Sequence, residues 1–406
     1  MAKLLGLRVQ NYRSLADVSL GKVKWNQGDE LPGLACLIGA NGSGKSTVLD
    51  ALGFIADTLK EGVEAACDKP QRGGFQRLRT QGSNGSIKFH LNFRETPKAR
   101  PITYSFSVTA KGGIPYVEEE SLLQGRTEGA RGRPIQFVHI KEGKGVAWPE
   151  NAVPGDKGAK RAVVKSDRAT LGVASLGILK DHPRIAGMRA YIQDWYLSYF
   201  VPDAARALPP AGAQKHLNRD GSNIGNVLQY LERKHPAAVK SALGHIAKAI
   251  PGLSGIKTKV SPDGRLLLEF NEKGFQDPFF QQSMSDGTLK MFAYLLLLLD
   301  PQPPRFVVLE EPENGLYHQL FGPLALEFLS HTMPEDAKTQ LLLTTHAPLF
   351  VDMLKADQVW LLQKDAKGFT RATRASDLPE VSAMTDEGLP LGSLWFSGHF
   401  GTRVSL

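Results

Sequence analysis

The nine residues GANGSGKST, positions 39–47, combine glycine, lysine and hydroxyl side chains in a spacing that suits one kind of chemistry. Gly39 to Ser46 fit G-x-x-x-x-G-K-[ST], the pattern of a loop that cradles a polyphosphate. Gly42 and Gly44 allow successive backbone N–H groups to point inward as an anion nest. A helix starting near Lys45 adds the positive end of its dipole. Lys45 places a charge on the β- and γ-phosphates, and Ser46 offers a hydroxyl to Mg²⁺. Thr47 can bond the α-phosphate. Gly39, Asn41 and Ser43 complete the stretch expected to bind nucleotide.

A phosphate loop hydrolyses nothing by itself; it needs an acid near the magnesium and an oriented water. RFVVLEEPENGLYH supplies two acids, Glu310 and Glu311, at the end of an apolar run. In open α/β sheets ligands gather at that end of a strand. Glu310 is expected to hold magnesium through its water shell. Glu311 is expected to polarise the attacking water. LLLTTHAPLF ends a second apolar run in His346, placed to sense the γ-phosphate. With Lys45, these make the expected catalytic set. Ser285 and Gly287, in SMSDGTLK, lie at a helix start, another place where N–H groups can meet phosphate. Taken alone, SMSDGTLK reads as an ordinary N-cap.

Those residues need a scaffold. LACLI is short, apolar and bounded by glycine, as a buried strand should be, and residues 46–60 carry apolar positions at helical spacing. LLGLRV and LADVSL read as short strands. SIKFHLNF and ITYSFSVTA alternate strictly, which predicts an antiparallel sheet with one buried face. Residues 126–170 read as irregular and basic. Residues 183–200 predict one helix, with further helices over 223–235 and 236–250. GIKTKV and RLLLEF flank SPDG as a hairpin. Helices over 288–299 and 316–331 alternate with RFVVLE and QLLLTT, which predicts a parallel sheet covered on both faces. The expected organisation is an α/β core built from 1–110 and 255–406, with 111–254 as an inserted basic and helical lobe.

Composition narrows the classes. The 406 residues are 42% hydrophobic and 22% charged, ordinary for a soluble globular protein. Two cysteines, Cys36 and Cys67, are too few for a disulfide framework and fit a reducing compartment. The longest apolar run, MFAYLLLLL, is too short to span a bilayer. A cytoplasmic protein with no membrane partner is expected. The formal charge of +8 favours a polyanionic partner such as DNA. Ten Lys/Arg against five Asp/Glu lie between Arg126 and Arg168, densest at Lys157, Lys160, Arg161 and Lys165.

The order of parts resembles the ABC-type ATPases, and more closely their SMC/RecF/OLD-like branch. GANGSGKST is similar to the Walker A of that branch and MSDGTLK to its signature. VVLEEPENGL resembles its Walker B and D-loop, TTHAPLF its switch-histidine segment, and LRVQNYRSLADVSL its opening strands. The resemblance covers about residues 1–110 and 255–406. It implies a P-loop ATPase head of ABC/SMC type, using ATP and Mg²⁺, with an antiparallel β subdomain and an inserted helical lobe. It implies that Arg13 contacts nucleotide. It also implies that Ser285 and Gly287 face the ATP held by a second copy, so that two heads sandwich two nucleotides. Relatives of this kind often serve anti-phage defence or DNA maintenance, sometimes with an effector protein encoded nearby. Glu310 departs from the usual Asp, and Gln76 and Gln81 both remain open as the Q-loop glutamine. The separation of 265 residues from Lys45 to Glu310 argues against compact kinases, GTPases and ring-forming AAA+ ATPases, and no N-K-x-D motif for guanine is present. No D-x-D follows His346, which argues against a C-terminal Toprim nuclease. SDGT in place of SGGQ argues against a transport-type subunit. An ATP-held binding switch with little turnover is the remaining alternative.

Overall fold

A computed structural model of the chain describes residues 2–23, 28–125, 134–148, 162–178, 182–237, 239–240, 244 and 252–401. The chain forms two compact units: Met1–Trp195 with Asp357–Ser382, and Tyr196–Ala356 with Ala383–Leu406. The first unit boundary falls inside the stretch expected as a single inserted lobe. The helix expected over 236–250 lies mostly outside the described residues, as do Lys157, Lys160 and Arg161.

The first unit contains β1 (Lys3–Tyr12), β2 (Leu15–Gly21), β3 (Leu34–Ile38), β4 (Ile87–Arg94), β5 (Ile102–Lys111), β6 (Ile114–Gln124), β7 (Ile135–Lys141), β8 (Lys144–Ala147) and β9 (Ala162–Lys165). All but β3 form one antiparallel sheet in the order β2-β1-β4-β5-β6-β7-β8-β9. The alternation in β4 has the expected consequence: Ile87, Phe89, Leu91 and Phe93 are fully buried, while Lys88 is exposed. Phe54, from the Lys45–Glu61 helix, packs between Tyr12 of β1 and Phe89 of β4, with ring centroids 5.7 and 5.4 Å away. The helix that follows the glycine loop is thereby anchored on the sheet. β3 is wholly buried and pairs in parallel with the strand Val359–Lys364, which pairs antiparallel with Thr370–Arg374.

The described residues between 134 and 170 hold more order than their glycine and charge content implies. β7 and β8 form a hairpin whose turn is Glu142–Gly143, with φ of 47° and 75°. Two positive φ values match the right-handed twist of the flanking strands, so the turn outweighs the polar composition.

In the second unit, Tyr196–Leu197, Phe306–Glu310 and Gln340–Thr344 run parallel. Residues 183–200 are not the single helix expected: the helix stops at Gln193, and Tyr196 and Leu197 align with Val307 and Val308. Pairing with a buried strand satisfies their backbone groups and outweighs the helical period. The hairpin Leu253–Val260 with Leu266–Glu272 forms as expected, and Phe279–Phe280 extends it. The apolar run MFAYLLLLL lies in the buried helix Asp286–Leu298 and its C-cap. The helix expected over 316–331 begins at Phe321, because Gly315, at φ 83°, first closes a turn and His318–Leu320 form a 3-10 segment. Among the described residues no helix is long and apolar enough to cross a membrane.

Candidate functional site

The residues expected to act divide between the units. The first holds Gly39 to Thr47 and Arg13; the second holds Ser285, Gly287, Glu310, Glu311 and His346.

In the first unit, β3 delivers the chain into the loop and the Lys45–Glu61 helix carries it away. Gly39, Gly42 and Gly44 all have positive φ. Gly44 is the most constrained. At φ 110° it is left-handed, and a Cβ there would collide with Thr370 Oγ1. Any side chain would both strain the backbone and displace Thr370. Gly44 is also the helix N-cap, with no side chain capping the helix and no acid in its first turn. The helix therefore presents its positive end to the loop with no acid of its own first turn beside it. Lys45 is buried, 6% exposed, and its Nζ donates to the carbonyls of Gly39 at 2.9 Å and Ala40 at 3.2 Å. The ammonium is thus folded along the loop that would hold phosphate. Ser46 is exposed on the first turn and Thr47 is half-buried.

A clamp absent from the sequence reading fixes this loop. Thr370 Oγ1 donates to the Ser43 carbonyl at 2.8 Å and lies 2.9 Å from Ser14 Oγ, while Thr370 N donates to Ser14 O at 2.8 Å. Ser14 belongs to the β1–β2 turn, so that hairpin and the Thr370–Arg374 strand together brace the loop. Arg13, in the same turn, has φ 48°. Its guanidinium donates to Gln71 O at 2.6 Å and lies 3.2 Å from Asp50. Asp50 also accepts from Tyr12 Oη at 2.7 Å and Arg72 Nε at 2.9 Å. The Arg72 side chain is fully buried and reaches Asp57 as well, at 2.8 Å. This network locks the phosphate-loop helix to the segment after it.

In the second unit, Glu310 ends its strand at the level of Thr344 and is exposed. Glu311 follows at φ 42°, a left-handed value that costs a non-glycine residue about 1–2 kcal/mol. Its N–H donates to Thr344 O and to Thr344 Oγ1, each at 3.1 Å. These bonds hold the strained turn, and its carboxylate lies 3.3 Å from His346 Nε2. The expected base and the expected sensor are therefore in contact. Ser285 caps its helix by accepting from Thr288 N at 3.2 Å. Arg206 holds the same start, bonding Met284 O at 3.0 Å, Asp203 at 2.9 Å and the Asp286 carboxylate. A Cβ on Gly287 would stand 2.5 Å from Gly315 O, so only glycine lets this helix approach the turn after the glutamates so closely.

Two further residues join these parts. Lys290 Nζ donates to Glu311 O at 3.0 Å and Asn314 O at 3.1 Å, tying the Ser285 helix to the glutamate turn. Burial lowers its pKa, against the raising influence of Glu313 and Glu311. Glu313 is 6% exposed and accepts from Thr345 Oγ1 at 2.6 Å and His346 N at 2.9 Å. The signal for Lys290 was its position four residues after Asp286. Glu313 was hidden in a turn that reads as solvated. Among the described residues, no cluster of three or more His, Cys, Asp or Glu could hold a metal. A magnesium ion carried on a triphosphate needs no such cluster, since one or two protein oxygens complete its shell.

Residues 34–352 match the family model for an AAA domain, described as putative AbiEii toxin, Type IV TA system. No curated protein matches the chain. Among solved structures, the chain is similar to an Smc head bound to the C-winged helix domain of ScpA. The identity is 15% and the TM-score 0.55, over 91% of this chain and 97% of that one. It is also similar to the Smc head domain with an extended coiled coil, bound to the C-terminal domain of ScpA, from Pyrococcus furiosus. Here identity is 13% and the TM-score 0.55, over 96% of this chain and all of that one. The fold is therefore that of a P-loop ATPase head of SMC type.

Proposed function

The chain belongs to this AAA-domain family, and from that premise we propose that it is a magnesium-dependent ATPase whose copies pair around ATP in the cytoplasm. The phosphate loop from Gly39 to Thr47 holds the triphosphate, with Asn41 and Ser43 in its wall. Lys45 leaves the loop carbonyls for the β- and γ-phosphates. Ser46 and Glu310 hold the magnesium, which neutralises charge building on the transferred phosphoryl group. Glu311 orients and polarises water, and His346 registers the γ-phosphate. Ser285 and Gly287 of one copy face the ATP of the other. Arg13, held by Asp50, acts on the nucleotide from beside the loop helix.

The observation that carries this reading is the uncapped N-terminus of the Lys45–Glu61 helix, with no acid in its first turn and Lys45 laid along the loop. An anion of several charges is the ligand that arrangement suits. The test is magnesium-dependent phosphate release by the wild type and by Glu311→Gln. The variant should bind ATP, release no phosphate and accumulate as a dimer in light scattering. A wild type that releases no phosphate at any magnesium or ATP concentration, with or without DNA, defeats the hydrolysis reading.

The ATP cycle serves a DNA-related process, either anti-phage defence or DNA maintenance; the net charge of +8 supports DNA as the polyanionic partner. One observation favours a second reading, a binding switch that turns over slowly and controls an effector protein. Glu310 is one methylene longer than the aspartate its position resembles, which would change the reach of the carboxylate toward a bound magnesium. The description of the family as a putative AbiEii toxin of a Type IV TA system supports a role within a two-part system with a partner protein.

A further inference from the structure

Glu313 has no place in the roles above, yet it is among the most buried carboxylates of the second unit. Burying a charge is costly unless it does something for its neighbours. Its Oε1 accepts two short bonds, from Thr345 Oγ1 at 2.6 Å and from His346 N at 2.9 Å. Thr345 Oγ1 in turn accepts from Ala347 N at 3.0 Å, so one carboxylate oxygen organises the backbone through residues 345–347. Its Oε2 is buried and has no hydrogen-bond partner among the described residues. The side chain lies between two strained or crowded features. Before it stands Glu311 at φ 42°; after it Gly315 closes against Gly287.

We infer that Glu313 is a positioning residue: its carboxylate fixes the turn at Thr345–His346, and so sets the His346 imidazole against Glu311. The geometry leaves little alternative support. His346 is about one-third exposed at its side chain, so packing alone does not fix its ring. The strand Gln340–Thr344 ends two residues before His346, so the sheet ladder no longer holds its backbone. The N–H of His346 and the hydroxyl of Thr345 both find their acceptor in Glu313. Without it, the imidazole loses its 3.3 Å placement on Glu311, and a misplacement of about 1 Å can cost on the order of 10²-fold in rate. The inference rests on the hydrolysis reading only for its kinetic consequence; the placement of the ring stands apart from it.

The experiment therefore has two arms, applied to the full chain as wild type, Glu313→Gln and Glu313→Ala. The first is the crystal structure of each, without nucleotide. Glu313→Gln keeps an acceptor oxygen and should keep the His346–Glu311 contact; Glu313→Ala should release residues 345–347 and lose it. The second is steady-state phosphate release. Glu313→Ala should lower kcat by about 10- to 100-fold with little change in KM, whereas Glu313→Gln should retain most of kcat. An intact His346–Glu311 contact in a folded Glu313→Ala protein overturns the inference. So does a Glu313→Gln protein as impaired as Glu313→Ala, since the charge rather than the acceptor would then matter. If the wild type releases no phosphate, the hydrolysis reading fails while the crystallographic arm still decides the role of Glu313.

Discussion

Replacing Thr370 by valine removes the hydroxyl that braces the phosphate loop while keeping the side chain's shape. Thr370 is 2% exposed, so its hydroxyl is shielded from bulk solvent. Three polar contacts end at its Oγ1: Ser43 O at 2.8 Å, Ser14 Oγ at 2.9 Å and, weakly, Lys364 Nζ at 3.4 Å. Ser14 Oγ lies in a part-buried pair and can turn to solvent. The Ser43 carbonyl has less freedom, because Gly44 beside it is held left-handed. Leaving one buried acceptor unpaired costs about 1–3 kcal/mol. The loop can recover part of this by shifting, but a shifted loop no longer presents its N–H groups together. We expect Thr370→Val to lose about 1–3 kcal/mol in urea unfolding. If about 1.4 kcal/mol of that appears in the loop, ATP binding weakens about 10-fold. Titration with a fluorescent ATP analogue measures the second effect. Unchanged stability together with affinity within about 2-fold of wild type would refute the bracing argument.

Other consequences can be checked separately. Arg72→Ala removes the cation shared by Asp50 and Asp57 while Arg13 stays on Asp50 and Lys69 on Asp57, and should cost about 1.5–3 kcal/mol in urea unfolding for the lost charged hydrogen bonds; a loss below about 0.5 kcal/mol contradicts the network's role. Burial, then the charges of Arg8 and Lys88, hold the His90 imidazole below its ordinary value of 6.5. Neutral His90 therefore supports the fold above that value, and its contribution is lost as pH falls from there through the folded pKa. Unfolding measured across this range should show stability falling with pH, and His90→Gln should flatten the slope; an unaltered slope removes His90 as the cause. If the basic stretch meets DNA, binding must weaken as salt rises. Neutralising Lys157, Lys160, Arg161 and Lys165 should then flatten the dependence on salt, and a constant slope takes the stretch out of the interface.

Local geometry explains what could be read from the chain. The phosphate loop is legible because its strand, glycines, lysine and helix are contiguous, and each is needed within nine residues. The pairs Glu310–Glu311 and Thr345–His346 are legible because each closely follows a short apolar run, FVVL or LLL. The clamp was not, because Thr370 lies 327 residues from Ser43 and sits in TRATR, a polar strand with no motif. Glu313 was not, because burial in an acidic turn depends on Thr345 and His346 arriving from another strand. A role for Arg13 at the nucleotide comes from resemblance alone, and the structure adds only its bonds to Asp50 and Gln71. The β7–β8 hairpin is masked by the basic, glycine-rich composition around it, and only the two-residue turn Glu142–Gly143 marks it. Residues 194–197 escaped because a strand of two residues has no period to detect, and only its neighbour Val307–Val308 defines it.

The account depends most on the loop from Gly39 to Thr47 binding a triphosphate through Lys45. Calorimetric titration of Mg-ATP into the wild type and into Lys45→Ala addresses this without assuming turnover or a partner. Saturable binding at one site per chain is expected, weakened by about 10- to 100-fold in the variant for loss of a charged hydrogen-bond donor. Absence of ATP binding by the wild type, or equal affinity in Lys45→Ala, would contradict it.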